Sequence, residues 1–349
     1  MVTGRCEGLG AVGERTFLEG TVASWLATRG GMVSAPDVIW SDAAAEATRR
    51  LTSGARGVPA MAMLGPIAAL NGASTWISAG DGSGPEETFD ANERELPGIF
   101  LPTGPIRVAD AWVFPVSHWN QLVWANLLAL GPRLWAALAG AGLTAAWRLG
   151  WASVRAGSTR PEDVAARLNR LDAGATIHRN ATVEGCWLGR GARVGAGAVV
   201  RGCILGEGAV IEELALVEGA VLGRGARVQR LAMAKYQVIE EEAMFAGIAQ
   251  LGVIGRKAVV KHGATLMDMA FGQAVRVRVG DGLVSAPFGL CGVCVGEGAV
   301  VASGVRVAPG RVIPAGMEIL ADPDGVLSRM DVPDGCTRAI VRGGALEPA

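Results

Sequence analysis

The chain has 349 residues, half of them hydrophobic, with 32 basic and 33 acidic side chains and a formal net charge of -1. That length allows two or three domains with a large core, and the balanced charge excludes both a basic nucleic-acid surface and a disordered charged tail. The six cysteines (Cys6, Cys186, Cys203, Cys291, Cys294, Cys336) are scattered, and the opening residues do not read as a secretory leader, so a reducing cytoplasm is expected rather than a disulfide framework.

Residues 1–110 are expected to form a small N-terminal module, α/β or irregular, and its role is not legible. Gly8-Leu-Gly10-Ala-Val-Gly13 has the form GxGxxG. A dinucleotide fingerprint needs a strand before it, and the residues ahead of Gly8 are not strand-like. Residues 79–96, rich in Gly, Asp and Glu, read as a loop.

Residues 111–172 read as helical. Six of the ten tryptophans fall within 112–154: Trp112, Trp119, Trp124, Trp135, Trp147 and Trp151. Gly131-Pro132 is expected to split this stretch into two helices. Neither half supplies the ~20 uninterrupted apolar residues of a membrane span. Two readings stay open: a helical hairpin packed on the rest of the chain or between copies, or an element lying in a membrane surface, where Trp135 and Trp147 would meet lipid. Residues 158–172 predict a short helix with Thr159 and Glu162 as a capping box, Pro161 in its first turn and a stripe of Val164, Leu168 and Leu171.

Residues 173–320 carry the strongest signal. Branched aliphatics recur every six residues, as in Val295, Val301, Val307, Ile313 and Ile319, with occasional five-residue steps. Leu188-Gly-Arg-Gly-Ala-Arg193 returns verbatim at Leu222–Arg227, and Leu216, Leu222, Val228 and Ala234 form one inward-pointing run. A period of six fits neither an α-helix nor a two-faced strand. It fits a short strand with an inward aliphatic, followed by a corner at glycine. Three such units close a triangular coil, and six or seven coils stack into a parallel β-helix about 30 Å tall. Residues 269–290 interrupt the rhythm and predict a protruding β-hairpin, Ala274–Val279 returning through Leu283–Ser285. Residues 321–349 are a C-terminal tail.

With its repeats, the segment resembles the left-handed β-helix of the hexapeptide-repeat transferases. Ala246-Gly-Ile-Ala-Gln-Leu-Gly252, His262-Gly-Ala264 and Phe288–Gly298 are similar to the acetyltransferase half of the bifunctional N-acetylglucosamine-1-phosphate uridylyltransferases and to related sugar nucleotidyltransferase-like proteins. The helix at Trp119–Asn126 falls where those proteins join their two domains. The resemblance implies a homotrimer with a small-molecule ligand between columns, an acyl or nucleotidyl donor such as acetyl-CoA or a nucleotide sugar, and a sugar phosphate or nucleotide sugar as the partner molecule. The alternative is a non-catalytic trimeric scaffold or ligand-binding protein.

The chain departs from that pattern where chemistry would occur. The family's general base follows an Ala-Gly pair, and here that position is Ile248, which cannot accept a proton. His262 is the candidate for a relocated base, and Lys235 and Asp268 are the candidates for substrate contact, Lys235 standing one residue from the family's phosphate-binding lysine. The Gly-rich basic loop of a uridylyltransferase is missing. His118, His178 and His262 are too widely spaced for a zinc site. Cys291-Gly-Val-Cys294 lies within repeats rather than at a helix start, so two packed thiols are expected there.

Overall fold

The computed structural model describes residues 118–139, 142–160, 163–164, 167–279 and 281–325, and short strand segments before and after them. Residues 170–319 form a parallel β-helix whose three faces are ladders of eight, eight and seven strands. The first face begins with Arg170–Leu171, the second with Thr176–Ile177 and the third with Thr182–Glu184. The column therefore has seven complete coils and two faces of an eighth, slightly more than the six or seven that the repeats suggest.

The sequence folds this way because each coil gives every backbone amide a partner in the next. Trp187 N–H donates to Cys203 C=O at 2.9 Å, and Gly206 N–H to Leu222 C=O at 2.8 Å. Corners use glycine for two different reasons. Gly191 adopts φ 66, which side chains disfavour, whereas a Cβ on Gly189 would stand 2.8 Å from the carbonyl oxygen of Leu205 in the next coil. The core is a stack of aliphatics: Leu188, Leu205, Leu222, Ile239, Ile254 and Val295 point inward from the first face. Phe245 replaces a branched aliphatic on the second face, and the small Ala249 shares its coil, which keeps the interior volume level. The inward run on the third face needs correction. Val217 fills the core and Leu216 points out, because the third-face strand with its corner spans five residues instead of six and shifts the count by one.

Two helices cover the first face. Helix α1 (Trp119–Ala139) and helix α2 (Gly142–Ala156) follow one another closely. Leu130, Leu134 and Leu138 of α1 and Ala152 of α2 pack with Ile204 and Val221 of the column. Helix α1 has 21 residues and is thus about 30 Å long, close to the height of the column. It passes unbroken through Gly131-Pro132, against expectation. Pro132 removes one amide donor, but the packing of Leu130 and Leu134 on either side outweighs that loss. The short helix predicted over 158–172 is also shorter than expected. Only Asp163 and Val164 are described as helical. Leu171 is instead taken by the first strand, where Arg170 N–H and Asp172 N–H donate to Cys186 and Leu188 carbonyls at 2.9 Å. Ser158 Oγ accepts the backbone N–H of Arg160 there at 3.1 Å; the expected capping box of Thr159 with Glu162 involves Glu162, which lies outside the described residues.

The inserted hairpin forms as the alternation requires, with Arg276–Val279 antiparallel to Gly282–Ser285. Within 79–96, read as a loop, Glu86–Phe89 is a strand parallel to Arg56–Pro59, in a register that sets Arg56 opposite Glu86. In the GxGxxG stretch, Gly10 lies in a two-residue strand paired with Arg5–Cys6, while Gly8 and Gly13 fall outside the described residues. After residue 320, Ala339–Arg342 pairs antiparallel with Ala345–Pro348.

The register makes a sharp distinction between adjacent valines. Val301 is wholly buried and Val300 faces outward on the same strand. Val301→Asp leaves an unpaired carboxylate in the aliphatic column and is expected to cost about 3–5 kcal/mol, unfolding the last coils. Val300→Asp is expected to melt near wild type. Thermal unfolding followed by circular dichroism checks both, and equal effects would mean the register is wrong.

Candidate functional site

The coils are nearly uniform, so the site is sought where they are not. In the first four coils successive strands on a face start 17 residues apart, as with Trp187, Ile204, Val221 and Val238. The fifth coil is shorter, and its first-face strand, starting at Val238, is followed by the next at Val253. The missing residues come from the corner between the second and third faces. That corner is four residues elsewhere, for instance Glu212–Ala215, but only Ala246-Gly247 here. The next coil's corner, Lys261–Ala264, has full length, so Lys261 and His262 overhang a notch.

The backbone crosses the notch without losing its ladder. Ala246 N–H donates to Val260 C=O at 2.8 Å, and Ile248 N–H to Ala264 C=O at 3.0 Å. Gly247 makes this possible, because a Cβ there would lie 2.6 Å from the Ala264 carbonyl oxygen. On the other side of the third face, the chain leaves the column after Leu266 and returns at Cys294. The notch and this excursion bracket a stretch of the third face made of Ile248–Gln250 and Thr265–Leu266.

The three candidate residues are placed differently within it. His262 is exposed at the tip of the overhanging corner. Asp268 is half-buried at the root of the excursion, where its backbone carbonyl accepts Cys291 N–H at 3.0 Å. Burial pushes the Asp268 carboxyl above the ordinary carboxylate range. Lys235 lies one coil below Gln250, which pairs with it in the ladder. It is not an open cation: its Nζ is 2.8 Å from Glu218 Oε2. Glu218 also meets Arg201 at 3.1 Å, and Arg201 meets Glu184 at 2.9 Å. Lys235 therefore ends a ladder of alternating charges running along one edge of the third face. Partial burial pushes the Glu218 carboxyl up, and its bonds to Lys235 and Arg201 outweigh this, holding it below the ordinary range. Ile248 is 46% exposed in the outward row of the face, level with Thr265.

The excursion is held by the start of α1. His118 Nδ1 accepts Asn120 N–H at 3.1 Å, so its Nε2 carries the proton and donates to Arg278 C=O at 3.1 Å. Asn120 Nδ2 donates to Cys291 Sγ at 3.0 Å, and the rings of Trp124 and Phe288 lie 5.3 Å apart. Cys291 and Cys294 are buried and not disulfide-bonded, and burial pushes the Cys291 thiol well up, away from the thiolate that redox chemistry needs. The three histidines stay apart: His118 under the excursion, His178 at a corner of the first coil and His262 in the sixth. Among the described residues no three His, Cys, Asp or Glu side chains gather as metal ligands.

The sequence points to His262 and Asp268 individually but not to the notch under His262. Its signal was the shortened spacing from Ile239 to Ile254. It also missed the exposed apolar side chains at the excursion, Met267, Met269 and Phe271, the last 94% exposed.

No family profile matches the sequence, nor does any curated protein. Similar solved structures include a hexapeptide transferase family protein from Anaplasma phagocytophilum, 18% identical over 41% of this chain and 75% of that one, with a TM-score of 0.23. The acetyltransferase domain of PglB from Neisseria gonorrhoeae, in complex with acetyl coenzyme A, is 15% identical over 66% of this chain and 82% of that one, with a TM-score of 0.23. A UDP-N-acetylglucosamine acyltransferase from Campylobacter jejuni is 13% identical over 42% and 69%, with a TM-score of 0.12. The fold assignment rests on the three ladders themselves rather than on these similarities.

The charge ladder yields a pH-dependent expectation. A carboxyl held below its unfolded value stabilises the fold above that value and loses the contribution as pH falls through the folded value. Lys235→Met is expected to cost no more than about 1 kcal/mol at neutral pH. The difference from wild type should shrink as pH falls below Glu218's ordinary 4.5. Urea unfolding at neutral and acid pH reads this, and a pH-independent difference would mean that packing, not the ion pair, is what Lys235 contributes.

Proposed function

We propose that the chain is a hexapeptide-repeat transferase that binds a sugar phosphate or nucleotide sugar and places an acyl group on it. The observation that supports this is the shortened corner below His262, across the third face from the excursion that carries Asp268. A notch on an otherwise regular column needs a reason: it leaves the imidazole of His262 at one end of the third face, with the carboxyl of Asp268 and the amide of Gln250 at the other. In the proposed reaction the acceptor's amine or hydroxyl attacks the thioester carbon of an acyl-CoA. His262 takes the acceptor's proton, the carbon–sulfur bond breaks, and the CoA thiolate leaves and is reprotonated from the imidazolium. Asp268 bonds an acceptor hydroxyl. Acyl transfer is favoured over nucleotidyl transfer because the sequence has no Gly-rich basic loop to hold a triphosphate.

A second reading, a non-catalytic binding protein or scaffold, is favoured by two facts. Ile248 stands at the family's base position, and Lys235 is already paired with Glu218. The two readings separate on one residue. His262→Ala should lower acyl-CoA thiol release with the correct acceptor by roughly 10²–10⁴-fold. Glucosamine 1-phosphate should not serve as acceptor, because the proposed base, His262, stands in a different coil from Ile248, the position where the family's base would meet that amine. A thiol-release assay over a panel of amino sugar phosphates and nucleotide sugars tests this. Silence across the panel, or turnover unaffected by His262→Ala, would set the scaffold reading ahead.

Assembly belongs to the same proposal. The first face is covered by helices, and the second displays Arg193, Arg227 and Glu318 to solvent. The third face instead shows an outward row of Val199, Leu216, Met233 and Ile248, none fully buried within one chain. Three columns meeting through that row would give a homotrimer with a site in each cleft. Light scattering should report three times the chain's 35.8 kDa at micromolar protein; a stable monomer would refute it.

A further inference from the structure

Helix α2 presents a face that none of the described residues covers. Trp147 and Trp151 are 74% and 57% exposed and Val154 is 73% exposed, one turn apart along one side. The two indole rings stack at 6.3 Å with planes only 6° apart, which holds both on the surface as one apolar plate. The opposite side of the helix is accounted for: Ala152 is buried and Leu149 packs in the cluster that joins the helices to the column. The exposed stripe is therefore not a misplaced core face.

Its flanks are basic. Arg148 and Arg155 follow the stripe on one shoulder, one and four residues on from Trp147 and Trp151, and Arg160 lies just beyond the helix. All three are exposed and, among the described residues, none has a carboxylate partner. From residue 119 to 160 the sequence contains four arginines and no aspartate or glutamate, in a chain whose overall charge is -1. The stretch that carries the tryptophans is thus net positive because it lacks acidic residues.

We propose that α2 docks the protein on an anionic lipid surface. Indole rings are suited to the boundary between headgroups and acyl chains, and guanidinium groups beside them pair with lipid phosphates. No helix among the described residues is long and apolar enough to cross a membrane, so the helix would lie flat with Trp147, Trp151 and Val154 inserted. Each arginine adds attraction to an acidic surface, which salt weakens. A second copy of the chain would bury the same tryptophans but would leave the one-signed charge facing its own image, which disfavours that occupant.

The test is flotation of the full chain with vesicles of phosphatidylcholine, with and without phosphatidylglycerol. Wild type is expected to float with the anionic vesicles and to be released by salt. Trp147→Ser with Trp151→Ser, and separately Val154→Asp, should each reduce the bound fraction by roughly tenfold or more while melting like wild type. Arg148→Gln with Arg155→Gln should remove the preference for phosphatidylglycerol, and this pair keeps the test valid if an apolar-stripe variant folds poorly. Failure of wild type to float, or flotation indifferent to both the stripe and the arginine variants, overturns the proposal. So does a fall in oligomeric mass in the tryptophan variant, which would place the stripe between copies.

Discussion

The inter-coil backbone ladder is the constraint on which everything else depends. A residue of one coil must fall directly over its counterpart in the next, or the amides on both sides lose their partners at a cost of order 1–3 kcal/mol each. That requirement fixes the number of residues per coil and the inward position of each aliphatic. It also decides where a departure can occur. A deletion survives only at a corner, and only if the ladder re-forms immediately. In the fifth coil it does, since Met233 N–H finds Gly247 C=O at 3.0 Å and Ile248 N–H finds Ala264 C=O at the same distance. An insertion survives only if the chain leaves and rejoins in register, as it does when Val253–Ile254 pairs with Cys294–Val295 across the excursion. The two permitted irregularities sit at opposite ends of one face, and that coincidence is what singles out the candidate site.

The same ladder makes three unequal faces. Outward residues on the first face are apolar from Ile204 through Val253, and water would be unfavourable against so long a strip. Helix α1 covers it along nearly the whole column. The beginning of that helix does more than cover. His118 and Asn120 bond to the excursion rather than to the column. Trp119 Nε1 and Asn120 Oδ1 are buried and, among the described residues, have no hydrogen-bond partner, a polar cost that the dense packing around Trp119, Leu122 and Trp124 must offset. The helices thus fix the position of the excursion, and through it the side of the site that bears Asp268.

The column was legible in the sequence because its constraint is local and repeated. A six-residue spacing with glycine at fixed offsets leaves few other solutions. Val301 and Val295 were placed inward correctly, and the hairpin of Arg276–Val279 with Gly282–Ser285 followed from simple alternation. The errors arose where tertiary contacts override local signals. Gly131-Pro132 is a sound helix breaker in isolation, yet α1 continues through it because its leucines are held on both sides. Leu171 fits a helical stripe, yet the ladder claims it. Leu216 looks inward by a count of six, but the repeat unit at the third face is one residue shorter. The candidate site was only half legible. His262 and Asp268 stand out by type, but that Lys235 is neutralised by a glutamate 17 residues earlier becomes visible only once the coils are stacked.

Rigid coupling of the parts follows from these contacts. Helix α2 is joined to the column through Ala152 and Leu149 against Ile204 and Val221, and α1 joins the same cluster while its first residues grip the excursion. Among the described residues, the tryptophan stripe of α2 and the notch under His262 are linked through packing of helix, cluster and ladder. A surface that engages Trp147 and Trp151 therefore fixes the direction in which the notch opens, and the geometry of docking and that of the site are set by one and the same body.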